Sequence, residues 1–402
     1  MYIRSVTCFV NVDDAAGAIA GQVREAGLLA ADARQALEAA GYPVQTARLA
    51  TQPLSHLPDD PLPMAHALWP LCLEAGFEYL SLGPILADEP EADLARLDQI
   101  PELIRSTDSV FAGVLVGRAG GGLHFDAIRR TAGLVRDIAH STELGFGNLR
   151  LAMLANVGPH APFFPAAYHD GGGPALAIAV ETASLAVEAV TGAHSVDEAR
   201  ARLVAAVEAA GEAIAGAVAP VAEAWGFRFP GIDFSWAPFP EEERSIGAAV
   251  ERLGVARFGA AGTLWAAAFL TGCLRVAEFP RTGFNGLMLP VLEDAVLAQR
   301  SREGLFTVND LLLWSAVCGT GLDTVPLPGD VGEEELAGIL LDVAALALRL
   351  DKPLTARLMP VPGLAAGDET GFDFAYFANG RVLGVKGYGS KGLFGRAGGL
   401  GN

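Results

Sequence analysis

The sequence predicts an α/β fold with a largely parallel sheet. Short apolar runs of buried-strand type, such as residues 77–83 and 110–116, are separated by helical segments that are rich in alanine. Strands that alternate with helices pair in parallel, because each helix returns the chain to the same end of the sheet. With 402 residues, 51% hydrophobic content and a mean hydropathy of +0.34, the chain can bury a large core.

The elements follow in order along the chain. The first strand begins at Ile3, and Asp13 and Asp14 precede an alanine-rich helix that ends at about Ala40. Strand-type runs recur, bounded by glycine, proline or a helical pattern, at residues 44–49, 77–83, 110–116, 149–156, 175–180, 227–234 and 354–361. Apolar residues at helical spacing predict helices at residues 66–75, 124–140, 242–253, 263–276 and 331–350, together with two alanine-rich helices up to about Trp225.

The chain is predicted to end in a hairpin and a tail. The dipeptide Asn379-Gly380 lies between two strand-type runs and is typical of a type I′ turn that joins antiparallel strands. We expect one α/β domain over residues 1–379, followed by a basic, glycine-rich tail over residues 380–402. The tail is either a mobile, surface-draped end or an arm that covers the site or contacts a second subunit.

Charge and composition exclude several classes of partner. The formal net charge of −19 repels phosphate backbones and anionic lipid, so we expect a small-molecule ligand and neither nucleic acid nor a membrane surface. The N-terminus lacks a signal-peptide pattern, and the uncharged stretch between Arg257 and Arg275 contains enough glycine and threonine to predict a buried helix. These features predict a cytoplasmic protein, and its large alanine-rich helical faces are consistent with a homodimer.

An apolar helix that ends near a cysteine marks the first candidate site. Thr307 and Asp310 form a capping-box pattern at the start of this helix, and two glycines stop it just after Cys318. A thiol at such a junction can be a nucleophile or a ligand. The four cysteines are far apart and form no CxxC pair, so the alternative is that Cys318 is a buried free thiol whose pKa the helix C-terminus raises.

The loop after this helix is predicted to enter the interior of the fold. Residues 318–330 combine alternating apolar and polar side chains with glycines and prolines that prevent regular structure, so their backbone groups need partners inside the protein. Asp323 is predicted to be a functional acid and Thr320 a substrate-binding residue. Asp330 is predicted to be the N-cap of the helix over residues 331–350.

Other acids lie at predicted strand and helix ends. Asp233 and Ser235 share one face if the strand at 227–234 continues. Glu293 and Asp294 are predicted to lie early in a helix whose first turn contains Pro290, and at most one of the two acids faces a pocket.

Three further polar residues complete the candidates. His169 and Asp170 lie in a glycine-rich loop that follows the strand at 149–156, and α/β folds bind ligands at such strand ends. These two residues are candidates for acid–base catalysis or for metal binding. Arg357 lies inside a predicted buried strand, where it is expected to pair with a ligand or with a buried carboxylate.

Several segments resemble a known family. GLMLPVLEDAVLAQR, CGTGLDTVPLPGD and ILLDVAALALRLDKPLTARLMPVPG resemble domain of unknown function 711, which includes the UPF0210 proteins, and DFSWAPFPEEERSIG and FFPAAYHDGG resemble it more loosely. The resemblance implies a ten-stranded α/β barrel with outer helices, similar to the pyruvate formate-lyase barrel of glycyl radical enzymes, in which loops enter the centre. Because the RVLGV run at Arg381 lacks the radical-site pattern of those enzymes, we expect chemistry without a glycyl radical.

The leading hypothesis is a soluble enzyme that acts on a small polar metabolite by acid–base or hydrolytic chemistry inside the barrel. The candidate catalytic residues are Cys318, Asp323, Glu293 and His169, and the candidate substrate-binding residues are Asp233, Ser235, Arg357 and Thr320. One alternative is a non-catalytic metabolite-binding or regulatory protein. Another is a metal-dependent hydrolase with ligands among His169, Asp170, Asp323 and Asp330. The sequence identifies no cofactor.

Overall fold

Strands and helices alternate along the chain in a computed structural model, which describes residues 1–12, 16–57, 60–387 and 399–400. The strands are β1 (Tyr2–Phe9), β2 (Ala47–Ala50), β3 (Tyr79–Leu86), β4 (Val110–Leu115), β5 (Gly117–Arg118), β6 (Gly122–His124), β7 (Leu151–Ala155), β8 (Ala175–Glu181), β9 (Arg228–Asp233), β10 (Gly321–Pro328), β11 (Leu354–Val361) and β12 (Gly399–Leu400). The helices are α1 (Ala16–Ala39), α2 (Pro61–Glu74), α3 (Ile100–Ser106), α4 (Phe125–Ser141), α5 (Ala183–Thr191), α6 (Val196–Ala224), α7 (Ile246–Arg252), α8 (Thr263–Val276), α9 (Ala295–Arg302), α10 (Val308–Ser315) and α11 (Glu333–Leu350).

Nine of the described strands form one large, mostly parallel sheet. Their order across the sheet is β10-β11-β7-β4-β3-β2-β1-β8-β9. Neighbouring strands are parallel except where β7 meets β11 and where β1 meets β8. The predicted α/β class is therefore confirmed. The short strands β5, β6 and β12 form a separate antiparallel sheet.

Both faces of the large sheet are buried, which explains why its strands are continuous apolar runs in the sequence. One face packs on the helices through a core that includes Leu80, Val6 and Leu358. The other face carries smaller clusters, in which Phe111 packs edge-on against Phe164. Around the outside, consecutive contacts join α1, α2, α3, α4, α11, α10, α8 and α6, and α6 contacts α1 again.

Helix α6 is the one helix, among the residues described, that is long and apolar enough to cross a membrane by length and composition. This is weak support for a span, because the core helix of a soluble protein passes the same test. Charged residues occur at both of its ends, from Asp197 to Glu223, and the helix packs on α1, α5, α8 and β9. The uncharged stretch between Arg257 and Arg275 contains most of α8, whose inner side is buried as predicted.

Residues 281–291, which lie between α8 and α9 and which we call the spanning segment, contact both edges of the large sheet. On one side, the Trp236 N–H donates to the carbonyl oxygen of Gly286 at 2.9 Å. On the other side, the Gly319 N–H donates to Leu287 O at 2.7 Å, and the Val291 N–H donates to Asp323 O of β10 at 3.1 Å. The same segment makes isolated parallel bridges to both edges, so it spans the gap between β9 and β10.

Residues 318–330 are mostly buried, as predicted, but their conformation differs from the prediction. They do not form an irregular loop inside the fold, because residues 321–328 are the edge strand β10, which pairs in parallel with β11. An edge strand tolerates Pro326 and Pro328, since it needs hydrogen-bond donors on one side only. The register shifts between Leu322 and Val325, so this strand contains a bulge.

Two predicted helix starts are wrong. Asp330 is exposed and is not an N-cap, because α11 begins after Gly332, whose N–H donates to the side chain of Glu335. Pro290 does not begin a helix either, since α9 starts after Asp294, which caps it. By contrast, the predicted capping box of Thr307 and Asp310 is confirmed at the start of α10.

The predicted C-terminal hairpin does not form. Residues 374–378 and 381–385 are not strands, and a single antiparallel bridge joins Glu369 to Arg381. The side chain of Asn379 binds Thr370 and Phe372 instead, and neighbouring aromatic rings pack inward on Phe146. Asp13 and Asp14, and most of the predicted tail, lie outside the described residues.

Gly319 provides a test of how closely the spanning segment packs. A Cβ built on Gly319 would overlap the Cα of Gly286, and one built on Gly286 would overlap Gly319. We expect Gly319→Ala to lower the free energy of unfolding by about 1–3 kcal/mol, because the backbones must separate. The control is Gly216→Ala in α6, where a Cβ meets nothing within 4 Å and alanine should stabilise the helix by up to about 1 kcal/mol. Equal effects in a urea unfolding experiment would contradict the close contact.

Candidate functional site

A cavity opens on the inner face of the large sheet, at the amino ends of β1, β2, β3 and β4 and the carboxyl ends of β8 and β9. Its charged and polar lining consists of Arg4, Gln45, Thr46, Arg48, Asp233, Ser235, Glu293, Asp323 and Arg357. Its aromatic lining consists of Tyr79, Phe111, Phe163, Phe164, Phe374 and Tyr376. We call this space the interior cavity. The volume of this cavity is about 90 Å³.

Arg357 lies at the centre of the charged lining. Its Nε donates to Asp323 Oδ1 at 2.6 Å, and its Nη2 donates to Glu293 Oε1 at 2.7 Å. The second oxygen of Glu293 accepts from Arg4 Nη2 at 2.9 Å. We call these four residues the ion network. It joins strands β1, β10 and β11 to the segment that precedes α9.

Burial shapes the protonation of this network. Burial raises the pKa of Glu293, and Arg357 and Arg4 oppose that rise while the neighbouring Asp323 adds to it. The pKa of Arg357 is raised despite its burial, because Asp323 and Glu293 favour the charged guanidinium.

Asp233 and Ser235 lie at another part of the cavity wall and contact each other. Ser235 Oγ donates to Asp233 Oδ1 at 2.5 Å, and Asp233 also accepts from the N–H groups of Phe284 and Asn285 at 2.9 and 3.1 Å. Burial raises the pKa of Asp233, and these hydrogen bonds oppose the rise. The pair thus anchors the spanning segment to the end of β9, and among the described residues no imidazole contacts Ser235 in the way that activates a serine nucleophile.

Arg48 enters the cavity from β2 and differs from the other arginines there. It is 9% exposed, and its Nε donates to Thr46 Oγ1 at 2.9 Å. Its guanidinium carbon lies 5.2 Å from the ring centre of Tyr79 and 5.3 Å from that of Phe164. Burial and the nearby Arg4 lower the pKa of Arg48 to about 10, so the group remains charged at neutral pH.

Three predicted site residues do not line this cavity. Cys318 is buried, and its sulfur accepts from the Gly321 N–H at 3.3 Å beside a separate hollow that contains Lys352. Thr320 is fully buried, and its Oγ1 has no hydrogen-bond partner among the described residues. His169 lies in the loop after β7. The structure therefore brings together Glu293, Asp323, Arg357, Asp233 and Ser235, and it separates Cys318, Thr320 and His169 from them.

His169 belongs to a second group of polar side chains, with His160 and Asp170, which we call the histidine cluster. One ligand atom from each of the three residues lies within 4.8 Å of the others. Burial lowers the pKa of His160 to about 4, so its imidazole is neutral at neutral pH. Arg228 Nη2 lies 3.4 Å from His160 Nε2 and 3.3 Å from each oxygen of Asp170, so its guanidinium contacts two of the three residues of the cluster.

Sequence reasoning missed several residues of the interior cavity, above all Arg48 and Arg4. The usable signal was a charged residue inside a predicted apolar strand, which is the signal that identified Arg357. Arg48 lies in the predicted second strand and Arg4 in the first. The aromatic residues gave no such signal, because an aromatic side chain in a strand is ordinary core.

The fold and the cavity define an α/β protein with a charged interior cavity. The family described as Uncharacterised ACR (DUF711) matches residues 1–375. The chain belongs to this family, which confirms the resemblance found in the sequence.

Relatives named UPF0210 protein match over much of the chain. One from Methanopyrus kandleri is 32% identical over 398 residues, which covers 91% of this chain and 87% of the relative. One from Pyrobaculum arsenaticum is 34% identical over 285 residues and covers 68% of this chain and 62% of the relative. One from Clostridium perfringens is 27% identical over 346 residues, which covers 82% of this chain and 76% of the relative. The chain thus spans less than two thirds of the Pyrobaculum protein and most of the other two.

Proposed function

We propose that this protein is an enzyme that acts on a small polar metabolite in the interior cavity by acid–base chemistry. The observation that carries the proposal is the ion network of Arg4, Glu293, Asp323 and Arg357 in the wall of a cavity. The free-energy cost of desolvating two charges usually offsets the attraction between them in a buried ion pair. Such pairs in the cavity wall therefore add little to the stability of the fold. Charged groups held in fixed positions inside a dry site are, however, what catalysis uses.

The residues of the network suit different roles. Glu293 is the proposed acid–base group, because its pKa is raised and it lines the cavity. Arg357 holds Glu293 and Asp323 in place through two short hydrogen bonds. A nucleophilic role for Cys318 is not part of the proposal, since its thiol is 1% exposed and does not line the cavity.

We further propose that the spanning segment acts as a tenth strand and closes the sheet into a barrel. Single parallel bridges link Ile232 to Arg281, Trp236 to Leu287 and Pro290 to Asp323, which supports pairing on both sides of the segment. The continuous circle of contacts among the outer helices also favours closure. Closure would enclose the interior cavity and keep bulk water from the ion network.

The proposal is tested by a binding screen followed by a search for products. The protein is screened by thermal shift against small polar metabolites, and each hit is incubated with protein and analysed by mass spectrometry. We expect at least one hit to be converted, and we expect Glu293→Gln to bind it within a few-fold of the parent while turnover falls by about 10²–10⁴-fold. Glu303→Gln, which changes an acid outside the cavity, should leave turnover unchanged.

Two outcomes would count against catalysis by Glu293. Full turnover in Glu293→Gln would remove its acid–base role. Hits that bind without any product would instead support the alternative of a non-catalytic metabolite-binding or regulatory protein, which uses the same cavity.

Metal-dependent hydrolysis at the histidine cluster is the second candidate function. Two imidazoles and a carboxylate are a donor set typical of catalytic zinc, and neutral His160 is in the state that a metal ligand requires. Arg228 contacts two of these three residues, so its guanidinium competes with a metal for them. Asp323 and Asp330 are not part of this candidate, because Asp323 pairs with Arg357 and Asp330 is exposed elsewhere.

Elemental analysis tests the metal candidate. Protein purified without chelator and then dialysed should retain zinc or another divalent metal at near-stoichiometric level. Asp170→Asn should lose it, and Arg228→Met should bind it more tightly, because the competing cation is gone. The control Asp330→Asn should behave like the parent. If no metal is retained and added Zn²⁺ does not shift the melting temperature of the parent or of Arg228→Met, the candidate is wrong.

A further inference from the structure

Arg48 is a buried cation that forms no direct ion pair with any carboxylate of the described residues. No carboxylate oxygen of those residues lies within 4.0 Å of its guanidinium nitrogens, and its recorded hydrogen bond uses only Nε. Both Nη groups are therefore free of protein hydrogen bonds in the described part of the chain. Among its charged neighbours, Arg4 repels Arg48, and the effect of Glu293, which attracts it, is smaller.

The other arginines in this region each form an ion pair with a carboxylate. Arg4 pairs with Glu293, and Arg357 pairs with Glu293 and Asp323. Arg244 pairs with Glu181 at 2.5 Å. A buried charge without a partner costs several kcal/mol in general, and the aromatic rings beside Arg48 offset only part of that cost. The contrast indicates that the partner of Arg48 comes from outside the chain.

We propose that the ligand of the interior cavity carries a carboxylate that pairs with the Nη groups of Arg48. This inference rests on the proposed function, because it names the class of molecule that enters the same cavity. The planar guanidinium presents two parallel N–H groups, which match the two oxygens of a carboxylate. Tyr79 and Phe164 flank the guanidinium and fix its plane, so the apolar part of the ligand packs against aromatic rings.

A carboxylate fits this site better than a phosphate. Arg48 supplies one unpaired positive charge, and the remaining cations of the cavity are already bound to Glu293 and Asp323. A phosphate dianion would bring one more negative charge than a carboxylate into a cavity whose lining already contains Glu293, Asp323 and Asp233.

The test compares acids with their matched amides. Acetate, propionate, butyrate and benzoate, the four corresponding amides, and inorganic phosphate are titrated into the full-length protein by calorimetry. We expect at least one of these acids to bind and its amide to bind at least about tenfold more weakly, because the amide loses a charge-assisted pair. Arg48→Met should lose this preference, whereas Arg48→Lys should keep part of it, since the charge remains but the planar fork does not.

The control is Arg300→Met, which removes a buried arginine outside the cavity that is paired with Glu251. It should leave the preference for acids intact. Without ligand, Arg48→Met should raise the melting temperature, because it removes an unpaired buried charge, whereas Arg300→Met should lower it by breaking a pair.

Each other outcome overturns the inference in a way that separates it from the proposed function. Amides that bind in the cavity as tightly as the acids would overturn the carboxylate assignment and leave the proposed function standing. Tighter binding of phosphate would do the same. If none of the acids binds, the carboxylate assignment is wrong. A lower melting temperature for Arg48→Met would then mean that Arg48 is a structural residue, and it would also weaken the proposed function.

Discussion

The guanidinium of Arg357 is the contact on which the interior cavity depends. It projects from β11 and binds Asp323 on the neighbouring strand β10. It also binds Glu293, which lies between the spanning segment and α9. Three separate parts of the chain thus meet at one side chain. Without it, two buried carboxylates would face each other with Arg4 as the remaining cation, and repulsion between them would open this wall.

Charged side chains are distributed unevenly between the two faces of the sheet. The helix-facing side of the sheet is a conventional apolar core, in which large side chains such as Phe77 and Leu80 are fully enclosed. The inner face combines aromatic rings with arginines and carboxylates. A chain selected only for stability would fill both faces in the same way, because well-packed apolar residues replace buried ion pairs at little or no cost.

Local sequence patterns predicted most of the secondary structure and part of the site. Strands such as β4 and β7 were recognisable because both of their faces are buried, and Arg357 was recognisable as a charge inside such a run. The sequence did not show which segments pair in the folded protein. Residues 321–328 form a strand although they contain two prolines, because they lie at an edge of the sheet, and α11 is capped by Gly332 and not by Asp330. Cys318 was selected only because a thiol is a reactive group. Arg48 was overlooked although, like Arg357, it is a charged residue inside a predicted strand.

The most direct measurement is the unfolding free energy of a variant in which the network becomes apolar: Glu293→Met, Asp323→Leu and Arg357→Met together. Arg357→Met alone should cost about 3–5 kcal/mol, because it leaves unpaired buried acids. If the ion network is kept for chemistry, the triple variant should recover to within about 1 kcal/mol of the parent or exceed it, while ligand binding is lost. A triple variant as unstable as Arg357→Met alone would contradict the account, because the network would then be a source of stability.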